Sequence, residues 1–223
     1  MKTTISQFTL IFAFICSINF YSQAQVLPGT TDVKLFCNSG TMDLGNPPAN
    51  TTWEVAYSAT STTTPSAGVT LTGNTITGTD LKTGYYYIMT KGTAAGACIS
   101  AAQEVPVYLL SPLSVDFSGH ELCVENIAGA TLTGAISSPD VNTTSFAYQW
   151  YTVSGGTETA ISGETNATYT PSLTASSTTT YRLKAGYLIG GNKYCSSTQD
   201  HSINILATPT APTITITSST ETW

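Results

Sequence analysis

The order of four cysteines and the aromatic residues between them constrains this chain more than any other feature. Cys37, Trp53, Tyr85 and Cys98 are followed, in the same order, by Cys123, Trp150, Tyr181 and Cys195. In both sets the late cysteine comes just after a glycine-rich turn, at 91–96 and at 190–192. Self-similarity of this kind marks an array of small modules rather than one large core. Length alone allows one or two domains for 223 residues; the repeat selects two.

Each module reads as strands. Residues 53–57 alternate, with Trp53, Val55 and Tyr57 on one face and Glu54 on the other. Residues 146–151 do the same, Phe146, Tyr148 and Trp150 opposing Gln149 and Tyr151. At 181–185 apolar residues point in while Arg182 and Lys184 point out. Further short strands are predicted at 33–37, 41–44, 69–71, 74–76, 85–89, 103–109, 114–117, 123–124, 130–133, 168–170 and 203–205. Pro106 predicts an edge or bulged strand, because proline cannot donate to a ladder. No stretch carries a helical period, and the turn spacing is that of a β-sandwich.

Residues 1–24 read as a signal peptide: Lys2, an apolar run over 8–20, and Ser22 and Ala24 placed for cleavage before Gln25. Cys16 is not read as a lipidation site, because Ile15 precedes it where a small residue is needed. No later stretch reaches the roughly 20 apolar residues that span a bilayer, so the chain is expected outside the cell, secreted or at its surface. Cys37, Cys98, Cys123 and Cys195 then sit where disulfides persist. Four cysteines allow three connectivities, and the repeat favours Cys37 with Cys98 and Cys123 with Cys195.

Composition excludes several functions. The net charge of −6 and the seven Lys and Arg, six once Lys2 is removed (7 − 1), argue against nucleic acid, whose phosphates need cations. His120 and His201 stand alone as solvated residues, no metal-ligand spacing occurs, and no nucleophile–base pattern or cofactor loop is present. Neither a cofactor nor catalysis is expected. Trp53 and Trp150 read as core residues, since aromatic burial dominates sandwich energetics. Tyr86 and Tyr151, by alternation, are the outward candidates for a binding surface.

The early cysteine, Tyr-x-Trp-Tyr at 148–151, Ala-Thr-Tyr-Thr-Pro at 167–171, Thr-Tyr-x-Leu at 180–183 and Cys195 beyond a Gly-Asn turn together resemble the immunoglobulin-like repeat of secreted Bacteroidetes cell-surface and adhesin-type proteins. The resemblance covers 113–207 closely and 30–110 loosely. It implies an all-β chain of two tandem immunoglobulin-like β-sandwich domains: signal peptide 1–24, domains 25–110 and 113–207, and a Pro/Thr linker with an extra strand at 208–223. It also implies a non-catalytic role in adhesion or as a structural spacer. The alternative is a carbohydrate-binding accessory module or a fragment of a larger secreted hydrolase. The expected partners are a protein or glycan at the cell surface, or a second copy through the C-terminal strand, where Ile214 and Ile216 alternate with threonine. That strand is expected to be poorly ordered in the isolated chain.

Overall fold

Fifteen strands and two single-turn 3-10 helices make up the computed structural model, which describes residues 25–38, 40–65, 67–118, 122–174 and 177–215. The signal peptide with Cys16, His120 and Ile216 lie outside the described residues. The first half holds β1 (Lys34–Cys37), β2 (Thr41–Asp43), β3 (Thr51–Ser58), β4 (Ala67–Gly68), β5 (Thr75–Thr77), β6 (Gly84–Gly92) and β7 (Gln103–Leu110). The second holds β8 (Ser114–Ser118), β9 (Leu122–Cys123), β10 (Leu132–Ser137), β11 (Phe146–Ser154), β12 (Thr157–Ala160), β13 (Thr168–Tyr169), β14 (Thr178–Ile189) and β15 (Asn192–Leu206).

The duplication is visible in the strand order. One sheet of the first half runs β1-β7-β6-β3-β4 and faces the pair β2-β5; in the second half β9-β15-β14-β11-β12 faces β8-β10-β13. Both large sheets end in a parallel pairing, β1 on β7 and β9 on β15, while their other pairings are antiparallel. This is the two-sheet arrangement of an immunoglobulin-like sandwich, built twice. Pro106 sits where its missing N–H costs nothing, since β1 pairs with β7 only from Val107 onward.

Register corrects the alignment of the two halves by one and two residues. Val55 faces Ile88 as Trp150 faces Leu183, and Tyr86 precedes Ile88 as Tyr181 precedes Leu183. Val55 therefore occupies the Trp150 position, and Tyr86, not Tyr85, matches Tyr181. Trp150 is fully buried, its ring 4.9 Å from Phe117 and its indole N–H donating to the Asn166 carbonyl at 2.9 Å. Trp53, expected in the core, is only partly buried. The expected strand at 69–71 is absent: the chain pairs with β3 at 67–68, adds one hydrogen bond from Val69 to Val55, and then leaves its edge.

The cysteine pairing also differs. Cys37 is bonded to Cys195, while Cys98 and Cys123 are free and exposed. The parallel end strands explain why. Cys37 lies opposite Leu110 at one end of β7, whereas Cys98 precedes the other end at Gln103. β7 is 8 residues long, and at a rise of about 3.3 Å per residue its ends stand about 23 Å apart. Cys123 lies opposite Leu206, at the same rise about 36 Å along β15 from Cys195. Bridged Cα atoms must stand within about 7 Å, and those of Cys37 and Cys195 are 5.4 Å apart. A β-bulge presents Cys195: Cys195 and Ser196 together oppose Gly186, and Cys195 takes a left-handed backbone conformation. Gly186 is required there, because a Cβ would stand 2.8 Å from the Tyr194 carbonyl oxygen.

Candidate functional site

The bridge is one of three ties between the halves. The second is apolar: Val26, Tyr108 and Leu110 share a core cluster with Leu113, Trp150, Tyr187 and other residues of the second sandwich. The third is polar and centred on Asp140, which is 4% exposed. Its Oδ1 accepts from the Tyr108 hydroxyl at 2.7 Å and the Asn142 N–H at 3.0 Å, and its Oδ2 accepts from the Ser111 N–H at 3.1 Å. The Asp140 N–H donates to the Tyr187 hydroxyl, which donates to the Ser111 carbonyl, both at 2.8 Å. The sequence predicts a plain boundary at 111–113; Ser111 is hydrogen-bonded to Asp140 and Tyr187, and Leu113 lies in the shared core.

Burial alone would raise the Asp140 carboxyl pKa, but the hydrogen bonds from Tyr108, Asn142 and Ser111 outweigh it and hold it below the usual carboxylate range. A depressed pKa stabilises the fold fully above the unfolded value of about 3.9 and loses that contribution as pH falls through the folded value. Melting temperature should therefore drop on acidification below about pH 4. Asp140→Asn would set an amide N–H2 against the Ser111 N–H, costing about 1–3 kcal/mol at neutral pH and flattening the acid limb. Thermal melts of the two proteins between about pH 3 and pH 7 check both points.

The outer face of the β11–β14–β15 sheet carries a concave surface. Register brings Gln149 beside Lys184 and Tyr151 beside Arg182. The small residues Ala147, Gly186 and Ser196 leave a hollow of about 280 Å3, which Tyr151, Lys184 and Lys193 also line. Arg182 is committed elsewhere, bonded through Nε and Nη2 to Asp200 at 2.6 and 2.8 Å and through Nη1 to Glu158 at 2.8 Å. These hydrogen bonds raise the guanidinium pKa further and lower that of Asp200. Among the described residues, Lys184 and Lys193 form no ion pair with a carboxylate.

Of the residues singled out by sequence, Tyr151 and Cys195 meet at this hollow. Tyr86 does not. It is fully buried, and its hydroxyl accepts from the Lys82 N–H at 2.7 Å and donates to the Asp80 carbonyl at 3.1 Å. This is the tyrosine corner of an immunoglobulin-like sandwich, so the expectation of an outward Tyr86 is corrected. Burial raises its pKa despite the Lys82 bond. His201 is not a lone solvated residue either: its Nε2 is 2.8 Å from Asp116 Oδ1, and its ring meets Phe117 edge-on at 4.7 Å. The His201 bond lowers the Asp116 pKa. Among the described residues no hydroxyl or thiol hydrogen-bonds to His201. No group of three or more His, Cys, Asp or Glu suited to a metal occurs among the described residues.

No family model matches the chain, and no curated protein matches it. Among solved structures it is similar to the three N-terminal domains of the bacteriophage RB49 Highly Immunogenic Outer Capsid protein (Hoc), with 15% identity over 77% of this chain and 56% of that one, at a TM-score of 0.34. It is similar to the N-terminal four Ig domains of Dscam1 isoform 8.4, with 14% identity over 78% of this chain and 43% of that one, at 0.32. The fibronectin(III)-like modules of Clostridium thermocellum CbhA give 11% identity over 78% and 88%, at 0.38. The chain thus spans 56% and 43% of the first two. At these scores the fold assignment rests on the strand order itself, repeated in both halves.

Proposed function

We propose that this chain is a non-catalytic extracellular protein whose domains 25–110 and 113–207 act together as a stiff adhesive or spacer unit at a cell surface. The junction is the observation that carries this reading. A disulfide, a shared apolar core and a satisfied buried carboxylate network all cross it, where a flexible linker would have none of these. A disulfide persists in oxidising compartments outside the cytosol, which supports export and the signal peptide at 1–24. No helix of the described residues is long and apolar enough to cross a membrane. Residues 207–215 carry no strand, and Ile214 is 77% exposed, which leaves the tail available to a partner.

Small-angle scattering of the mature chain tests the reading. It should fit one fixed arrangement of two sandwiches, and reduction combined with Asp140→Asn should broaden the distance distribution. A broad distribution in the untreated protein would contradict it. So would hydrolysis of a polysaccharide or peptide panel that one carboxylate substitution abolishes.

A further inference from the structure

Because the two halves share a strand order, what fills one can be compared with what is missing from the other. In the second half the outer edge of β11 is covered by the chain itself. The Trp150 N–H donates to the Glu164 carbonyl at 3.0 Å, and the Trp150 carbonyl accepts from the Ile161 N–H at 2.9 Å. In the first half the Val55 carbonyl accepts from the Val69 N–H at 2.9 Å. The match ends there: among the described residues no backbone carbonyl outside the sheet ladders accepts from the Val55 N–H, and β4 pairs only with Ala56 and Tyr57. Residues 161–167 close over the β11 edge in the second half, whereas the corresponding residues 69–74 of the first half stand off β3 around a cavity of about 530 Å3, walled by Trp53, Glu54, Val69, Leu71, Asn74 and Lys91.

Trp53 and Glu54 leave β3 on opposite faces, so the cavity wraps the uncovered strand edge between them. The Trp53 indole is fixed by its N–H to the Gly45 carbonyl at 2.9 Å. Glu54 Oε2 is shielded from solvent and has no hydrogen-bond partner among the described residues. Its nearest cation, Lys91 Nζ, stands 4.0 Å away, beyond hydrogen-bond reach. The Glu54 and Lys91 side chains as wholes are 44% and 50% exposed, so both remain accessible from the cavity. A hydroxyl between the two, about 2.8 Å from each, donates to Glu54 and accepts from Lys91; the 4.0 Å gap permits that triangle.

We propose that this cavity binds a neutral saccharide, with a sugar ring against Trp53 and one hydroxyl bridging Glu54 and Lys91. Concave sites pair apolar walls with a few convergent polar groups, and an aromatic wall beside a carboxylate, an ammonium and an amide suits a ring with apolar C–H faces and hydroxyl edges. The opposite charges of Glu54 and Lys91 cancel, which favours neutral over acidic sugars. The proposal names the partner class for the adhesive reading above and rests on it.

The test is a titration of the mature chain followed through the side-chain N–H resonances of Trp53 and Asn74. The probes are soluble neutral oligosaccharides of glucose, mannose, galactose and xylose, with oligogalacturonate as the acidic comparison. A neutral probe should give saturable shifts at both resonances. Affinity should fall about ten-fold in Glu54→Gln, fall similarly in the exposed variant Lys91→Met, and be unchanged in Tyr151→Ala. No response to any neutral probe, a response to oligogalacturonate alone, or shifts that survive both Glu54→Gln and Lys91→Met would overturn the proposal. Scattering from the same samples reports the junction separately, so a failed saccharide site and a failed spacer role are distinguishable.

Discussion

Replacing Cys37 with serine should destabilise the chain by up to about 5 kcal/mol, the largest single effect expected here. The bridge closes a sequence separation of 158 residues, and in the chain-entropy account the benefit grows with loop length because the unfolded chain loses more freedom. Reduction of the unsubstituted protein should produce the same loss. Serine at Cys98 or Cys123 should leave stability within about 0.5 kcal/mol of the unsubstituted protein. Both positions are exposed and without a bridge partner. Chemical denaturation of the three variants, with and without reductant, checks this. A loss from Cys98→Ser matching that of Cys37→Ser would contradict the pairing.

Trp150→Ala should cost about 3–5 kcal/mol. The side chain is fully buried, packs edge-on against Phe117, tilts 36° against Tyr169 at 5.7 Å, and leaves the Asn166 carbonyl without its donor when removed. The void cannot close easily, because its walls come from both sheets of the second sandwich. Near-UV circular dichroism during a thermal melt should show early loss of tertiary signal. Since Tyr108 and Leu110 share that core, the first half should lose stability with it. A variant that kept its melting temperature would mean that Trp150 is not the centre of the core.

Local physics made much of this architecture legible in the sequence. Alternation at 146–151 put Trp150 inside and Tyr151 outside, and alternation at 181–185 sent Arg182 and Lys184 outward; the structure sets these outward residues side by side. The signal for the outer face was therefore present in two separate strands. What was missing was the register joining them, which depends on turns and tertiary packing. Tyr86 shows the same limit. In a run of three tyrosines, 85–87, period-two reasoning identifies two faces but not their burial, and both Tyr86 and Tyr87 are buried.

The disulfide was illegible for a different reason. Pairing cysteines within each repeat assumes that the late cysteine returns to the early one. The parallel end strand instead places each early cysteine at the far end of its sheet. Distance then forbids both within-repeat bridges, and only contact between the halves brings Cys37 to Cys195. The cavity beside Trp53 has a comparable origin in register: residues 69–74, between β4 and β5, do not close on the β3 edge as residues 161–167, between β12 and β13, close on β11. An aligned pair of aromatics suggested equivalence, whereas register shows Val55 in the Trp150 position.

Peptide mapping of the non-reduced mature protein tests the locked junction most directly. After alkylation of free thiols and proteolysis, mass spectrometry should find Cys37 and Cys195 in one linked pair, with Cys98 and Cys123 both alkylated. Linked peptides joining Cys37 to Cys98, or Cys123 to Cys195, would show two independently stapled sandwiches and contradict the account.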